Sequence, residues 1–218
     1  MKIVKPSIQP LTNINGEEAL MLIQKVAKTC YQTEKTTDDI ESAKRIVRQL
    51  IMSGHHSMLE FYNITMRYVS NIAAYKDLRT HRLSTFAVES TRWCSYDKGK
   101  FDGQIKFLDP IEVPKDSLKY QVWLNGCAQA EKNYMDMISM GARPDEASLL
   151  LPQSTAAEFN VSANLREWRH ILALRAVGTT GQPRLCVREI MCETLKLFNE
   201  KVPVVFEDLY QKMIERGR

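Results

Sequence analysis

The chain has no apolar run approaching the roughly 20 residues that cross a bilayer. Its start, MKIVKPSIQP, lacks the apolar h-region of a signal peptide. A cytoplasmic protein with no membrane partner is expected. There is also no C-x-x-C: the five cysteines (Cys30, Cys94, Cys127, Cys186, Cys192) are odd in number and scattered. No Cys/His spacing suits zinc, so the expectation is reduced, mostly buried thiols and no metal. Charge is nearly balanced, 30 Lys and Arg against 26 Asp and Glu for a net +4. That excess is too small for a nucleic-acid-binding face but suits small anionic ligands such as phosphates. Several mechanistic templates are missing too. No G-x-G-x-x-G follows a strand, and there is no G-x-x-x-x-G-K-S/T, no G-x-S-x-G and no H-E-x-x-H. A dinucleotide bound here is not held by a Rossmann turn.

What is present is an ordinary globular composition, 44% hydrophobic and 26% charged over 218 residues, enough for one substantial core. MKIVKPSI reads as an opening strand closed by Pro10. NGEEALMLIQKVAKTCY and TTDDIESAKRIVRQLIMSGHH carry apolar residues at helical spacing, with Asn15 as N-cap of the first and Gly54 ending the second. EFYNITMRYVS alternates as a strand does, NIAAYKDLRTHRL returns to helical spacing, and Ser84 to Ser95 reads as polar and irregular. GQIKFLDP gives a short strand. A long helix from about Lys115 to Met140 stops at Gly141, and RPDEASLLLP forms a short helix ended by Pro152. SANLREWRHILALRAV is strongly helical with Ser162 as N-cap, and helices around 184–200 and 203–216 complete the chain. With no repeat, linker or boundary, the pattern predicts an α+β fold: one helix-rich domain over 1–218 with a small antiparallel or mixed sheet.

Two constellations can carry chemistry. In THRLSTFAVESTR, the cationic pair His81-Arg82 is followed by Ser90-Thr91-Arg92, and SGHHSMLEF lies upstream. His55 and His56 also suit a plain helix end, where imidazoles meet the dipole. Arg82 or Arg92 can instead serve as a bidentate phosphate fork, with Ser90 and Thr91 adding donors. In NLREWRHILALR, Arg166 and His170 are four apart and share a helix face, with Asn164 just before it. Arg175 ends an apolar stripe of Trp168, Ile171 and Leu172. Either it reaches past the last turn to solvent, or it meets something anionic or strongly accepting.

These segments resemble the flavin-dependent thymidylate synthases. The family signature is R-H-R, seven residues, S, and an arginine two further on; His81, Arg82, Ser90 and Arg92 hold the matching places. SGHHSMLEF resembles the family's G-H-x-S-x-x-E-H segment, and ESTRWCSY resembles the E-S-T-R-Y-C-N-Y of one bacterial branch. SANLREWRHILALR resembles its N-x-R-x-x-x-N/H-x-x-x-x-R helix, and KVPVVFEDL its usual ending. The resemblance implies a homotetramer with FAD bound between subunits. Such an enzyme methylates C5 of dUMP to give dTMP, with methylenetetrahydrofolate and NADPH as co-substrates and no enzyme cysteine as nucleophile. By position it assigns Ser57, His81, Arg82, Asn164, Arg166 and His170 to FAD. It assigns Asp77, Ser90, Thr91 and Arg92 to the nucleotide, and Arg175 to the pyrimidine, where it stabilises developing negative charge.

The chain departs from the family pattern at Thr80 (usually Arg), Val88 (Gln or Glu), Ser148 (Arg), Asp77 (Gln or Glu) and Phe61 (His). Arg79, one residue from Thr80, points about 100° away on a helix and does not replace it. These losses fall mainly where the family grips the nucleotide. Besides a dUMP methylase, the pattern leaves room for a flavin enzyme acting on another pyrimidine nucleotide (UMP or a cytidylate) at C5. A non-catalytic flavin- or nucleotide-binding protein is the third reading.

Overall fold

The computed structural model describes residues 1–31, 39–92, 96 and 103–217. Six strands and eight helices are described in chain order. They are β1 (Lys2–Val4), β2 (Ser7–Pro10), α1 (Gly16–Tyr31), α2 (Ile40–Met52), β3 (Asn63–Asn71), α3 (Ile72–Leu78), β4 (Thr85–Val88) and β5 (Lys106–Leu108). After these come α4 (Leu118–Ser139), α5 (Pro144–Ala147), β6 (Ala156–Asn164), α6 (Leu165–Leu172), α7 (Leu185–Lys201) and α8 (Pro203–Arg216). A 3-10 turn spans His56–Phe61 and a π turn spans Ala173–Val177. The result is the expected helix-rich α+β architecture, with an antiparallel sheet in the order β2-β3-β6-β4 and a separate parallel pair β1-β5.

The helix signals hold. Asn15 accepts from the Glu18 N–H at 3.2 Å, and Asp39 caps α2 through the Ser42 N–H at 2.7 Å. At the other end of α2, Gly54 takes φ +75°, and the His55 and Gly54 N–H groups return to Leu50 and Ile51. This is the left-handed termination that glycine allows. The first residues of that segment, 36–38, lie outside the described residues.

The sheet's buried face follows the two-residue period. Ile64 pairs with Ala163, Met66 with Val161, Tyr68 with Phe159 and Ser70 with Ala157, and all eight are buried. The outer face is polar: the Thr65 hydroxyl donates to Ser162 at 2.9 Å, and Arg67 meets Asn160 and Glu158. α6 packs beneath through Trp168, fully buried, whose indole N–H donates to the Ile64 carbonyl at 3.0 Å. Trp168 also meets Phe198 of α7 edge-on, with centroids 5.2 Å apart. A smaller cluster around Ile105, Phe107, Cys127 and Tyr134 lies under α4. Among the described cysteines Cys127 and Cys186 are buried, Cys192 is half-buried and Cys30 exposed; all four are free thiols. Cys94 lies outside the described residues.

Four sequence expectations change. The opening strand is two, because Pro6 has no N–H for a ladder and the chain crosses there to a different sheet. The strand expected from Glu60 begins at Asn63; the residues before it form the 3-10 turn. Thr85–Val88 is a strand within the segment expected to be irregular, paired on β6 from Thr85↔Ser162 to Val88↔Phe159. Its four residues carry too little pattern to announce it, and the pairing comes from tertiary contact; residues 93–95 of that segment lie outside the described residues. Ser162 is not an N-cap. It sits in β6, and Asn164 caps α6 instead, accepting from the Glu167 N–H at 2.9 Å.

Gly16 opens α1 against the end of α7, where a β-carbon would stand 2.1 Å from the Lys201 carbonyl oxygen. Alanine normally gains up to about 1 kcal/mol over glycine in a helix. Here overpacking against backbone outweighs that gain. Gly16→Ala is expected to lower stability by about 1–3 kcal/mol in chemical unfolding; an unchanged or raised midpoint contradicts this packing.

Candidate active site

Two antiparallel neighbours, β3 and β6, each end in an asparagine that caps the helix directly following. Asn71 accepts from the Ala74 N–H at 2.8 Å and Asn164 from Glu167. These strand-to-helix handovers fix the directions of α3 and α6, and with them the site. After α3 the chain turns tightly, the His81 N–H returning to the Leu78 carbonyl at 3.0 Å. His81 is thereby driven inward, 5% exposed, while Thr80 and Arg82 stay at the surface. On α6, Arg166 and His170 lie one turn apart as the spacing requires. The His170 and His81 rings meet edge-on at 5.5 Å.

Beyond α6 the helix widens into the π turn, a rewinding often found at functional sites. Gly178, at φ +75°, ends it, and α8 holds that end through Arg216, whose guanidinium donates to the Val177 and Gly178 carbonyls. The π turn carries Arg175. Its Nε donates to His81 Nε2 at 3.2 Å, and its Nη2 to the Thr80 hydroxyl at 3.2 Å and the Asp77 carbonyl at 3.3 Å. Arg175 therefore does not run out to solvent; it is anchored on the end of α3.

Thr80, His81, Arg82, Asn164, Arg166, His170 and Arg175 line one cavity of about 860 Å³, the size of a small-molecule or cofactor site. Its lining holds four arginines, Arg82, Arg166, Arg169 and Arg175, against two glutamates, Glu60 and Glu167, with apolar surface from Leu83, Leu174 and Leu209. The remaining sequence-predicted residues lie elsewhere. Ser57 is exposed on the 3-10 turn, beside the lining residues His56 and Glu60. The Asp77 carboxylate pairs with Arg184 at 3.3 Å, so only its carbonyl reaches Arg175. Ser90 is half-buried. Thr91 lines a separate pocket of about 220 Å³ with Val88 and Arg79, and Arg92 an open one of about 350 Å³ with Arg143 and Asp145. In this chain the cavity and the Ser90–Arg92 strip thus lie apart.

The structure adds residues that the sequence reading passed over. Glu60 reaches Arg166 at 2.5 Å, a contact across 106 positions that no local pattern announces. Arg169, 8% exposed, grips both oxygens of Asp208 at 2.7 and 2.8 Å and also donates to the Val205 carbonyl, tying α6 to α8. Glu167, 5% exposed, stands with one oxygen 3.6 Å from His81 Nδ1. A signal for Glu167 was available, since it lies one turn before the buried Ile171. Burial sets the protonation preferences here. It lowers His81 to about 4, helped by the Arg175 charge and by His170. It raises the Glu167 carboxyl, against the pull of His170 and Arg166. His81 is a neutral imidazole near pH 7.

A cofactor-sized cavity lined by four arginines and two glutamates on an α+β scaffold suits an anionic organic ligand. Residues 12–204 match the model of one family, described as thymidylate synthase complementing protein. The chain belongs to that family. It is 25% identical to the flavin-dependent thymidylate synthase of Corynebacterium glutamicum over 94% of this chain and 85% of that one. Its fold is similar to the crystal structures of the UMP/dUMP methylase PolB from Streptomyces cacaoi bound with 5-Br dUMP and with 5-Br UMP. Both give a TM-score of 0.76 at 18% identity, covering 95% of this chain and 96% of the other in the first and 97% of each in the second.

Because unfolded histidine titrates near 6.5 and buried His81 near 4, the unfolded state binds the extra proton between those values. Stability from this group is complete above about pH 6.5 and is lost as pH falls toward 4. The cost by pH 4.5 is about 2 kcal/mol, partly offset by Glu167, whose raised carboxyl takes up a proton earlier in the folded state. Urea unfolding of wild type and His81→Asn at pH 7 and 4.5 checks this. The wild type is expected to lose more stability than the variant; equal losses contradict a neutral buried His81.

Proposed function

We propose that the chain is an FAD-dependent methyltransferase that converts dUMP to dTMP, taking its one-carbon unit from methylenetetrahydrofolate and its reducing equivalents from NADPH. One observation carries the reading. His81, Arg82, Asn164, Arg166, His170 and Arg175, which come from two segments far apart in sequence, converge on one cavity. The cavity also fits the cofactor on its own terms: guanidinium groups suit a diphosphate, and Leu83, Leu174 and Leu209 suit a flat apolar ring. When bound, FAD supplies the redox chemistry that delivers the methyl group in its final oxidation state.

The residues' own work is to bind and to stabilise charge. Arg82 and Arg166 hold the anionic part of the cofactor, with Ser57, His81, Asn164 and His170 supporting it. Arg175 faces the pyrimidine and stabilises the negative charge that makes C5 nucleophilic, acting as a preorganised cation in a partly desolvated site. Ser90, Thr91 and Arg92, with Asp77, serve the nucleotide. Their strip lies apart from the cavity, so we assign the working form to a homotetramer in which the strip of one protomer completes the cavity of its neighbour. Exposed apolar residues support assembly: Leu118 and Val122 one turn apart on α4, together with Met140 and Leu149, are each at least 71% exposed. Arg143 shares the open pocket of Arg92 and supplies a second guanidinium where Ser148 leaves none. In this reading the whole chain acts as one domain.

A second substrate, UMP, is favoured by one set of observations. Thr80, Val88 and Ser148 depart from the family pattern on the nucleotide side, and the similar PolB fold is that of a UMP/dUMP methylase.

The purified protein is expected to show flavin absorbance or to acquire it on adding FAD; a colourless protein that refuses FAD overturns the reading. Anaerobic oxidation of the reduced flavin by methylenetetrahydrofolate with dUMP, UMP or dCMP identifies the nucleotide. Arg175→Ala is expected to keep flavin and lose about 100- to 1,000-fold in turnover. Equal turnover contradicts the role given to Arg175.

A further inference from the structure

We propose that Glu167 is a positioning residue, whose negative charge sets the tautomer of His81 and thereby fixes the guanidinium of Arg175. This rests on the function proposed above only for what Arg175 does; the geometry stands by itself. A guanidinium only donates hydrogen bonds. Arg175 Nε lies 3.2 Å from His81 Nε2, so Nε2 is the acceptor and carries no proton. In a neutral imidazole the proton is then on Nδ1, the nitrogen that faces Glu167 Oε1 at 3.6 Å.

That separation is longer than a hydrogen bond. The coupling is a carboxylate acting on an N–H dipole, between groups each 5% exposed, where the low local dielectric strengthens it. Asn164-Leu165-Arg166-Glu167 carries the helix-start pattern in which a glutamate commonly folds back on the cap. Here the carboxylate instead lies against His81. The other charged and titratable groups around His81 are His170 on α6, Arg175 on the π turn and Arg82 beside it in sequence. All are basic; among the described residues Glu167 is the one carboxylate within 4 Å of a ring nitrogen of His81, and Glu60 is the other acid in the cavity lining.

The consequence appears at the cavity. With Nε on His81 and Nη2 on Thr80 and Asp77, the Nη1 of Arg175 meets no acceptor among the described residues and is left for a ligand. In the opposite tautomer, Nε2–H faces Nε–H at 3.2 Å. Two donors then oppose each other and Arg175 has to leave its place. Glu167 shares the cavity wall with His81, and in this proposal it acts on Arg175 through His81.

The chain has four histidines, few enough to assign by single substitutions in imidazole-¹⁵N spectra of the flavin-loaded protein. At pH 7 the wild type is expected to show His81 protonated on Nδ1 alone. An Nε2–H tautomer or an imidazolium there overturns the proposal whatever any variant does. The isosteric Glu167→Gln removes the charge. It is expected to retain flavin, to populate the second tautomer, and to lose turnover on the order of tenfold with nucleotide KM changed less than about twofold. A Gln variant with the wild-type tautomer and turnover within about twofold of wild type also overturns it. Refusal of FAD by the wild type sinks the proposed function instead, and leaves the tautomer measurement on the apoprotein to decide this inference.

Discussion

A guanidinium set against an apolar core has to have its donors met, and the fold around the cavity follows from how Arg175 meets that requirement. Its partners are an imidazole nitrogen, a threonine hydroxyl and a backbone carbonyl, all from the end of α3. None is charged, so the cation keeps its full positive field for the cavity. Holding it there requires the π turn that aims it, Gly178 to end that turn, and Arg216 of α8 to take up the carbonyls left at the turn's end. Each supporting element comes from a different part of the chain.

Those elements are brought together by the sheet. β3 and β6 run antiparallel and bury matched residues through their length. Because each passes directly into a helix through an asparagine cap, the helices inherit the rigidity of the strands. Trp168 then locks α6 to β3 from below, and the Arg169–Asp208 pair locks it to α8. Burial works against the Asp208 charge, but the Arg169 contact prevails and holds the carboxyl below its ordinary value. The site is therefore built on packed elements, as a preorganised electrostatic site requires.

The parts legible in the sequence were those written in short-range pattern. α1, α2, α7 and α8 follow from apolar spacing, and β3 from strict alternation. The spacing of His81 to Ser90 and of Asn164 to Arg175 pointed to one ligand site; the chain brings His81, Arg82 and the Asn164–Arg175 residues to one cavity and leaves Thr91 and Arg92 in others. What escaped was decided at long range. β4 is a strand only because β6 lies beside it. The last residues of β6 look like a helix start because Ser162 resembles an N-cap, although its hydroxyl pairs across the sheet with Thr65. Glu60 and Glu167 owe their meaning to partners 106 and 86 positions away, numbers no local window contains. The placing of Ser90–Arg92 apart from the cavity was likewise invisible, since motif spacing does not say which wall a residue lines.

Thr80 shows how a departure from pattern becomes interpretable once neighbours are known. Its hydroxyl donates to the Asp77 carbonyl at 2.7 Å and accepts from Arg175 at 3.2 Å. Arginine at this position, the family's usual residue, has no acceptor to offer Arg175 and adds a second cation at short range, a repulsive pairing. Threonine removes that repulsion and supplies an acceptor in the same place. It also withdraws one guanidinium from the rim. Arg82 and Arg166 remain in the cavity lining, while Arg79, the neighbouring cation, packs over the Tyr75 ring at 5.8 Å and faces the smaller pocket with Val88 and Thr91. Positive charge at this end of α3 therefore lies on the side of the smaller pocket, through Arg79, rather than beside Arg175. A substitution that reads in the sequence as a weakened phosphate grip is, in the structure, also a change in what holds Arg175 in place.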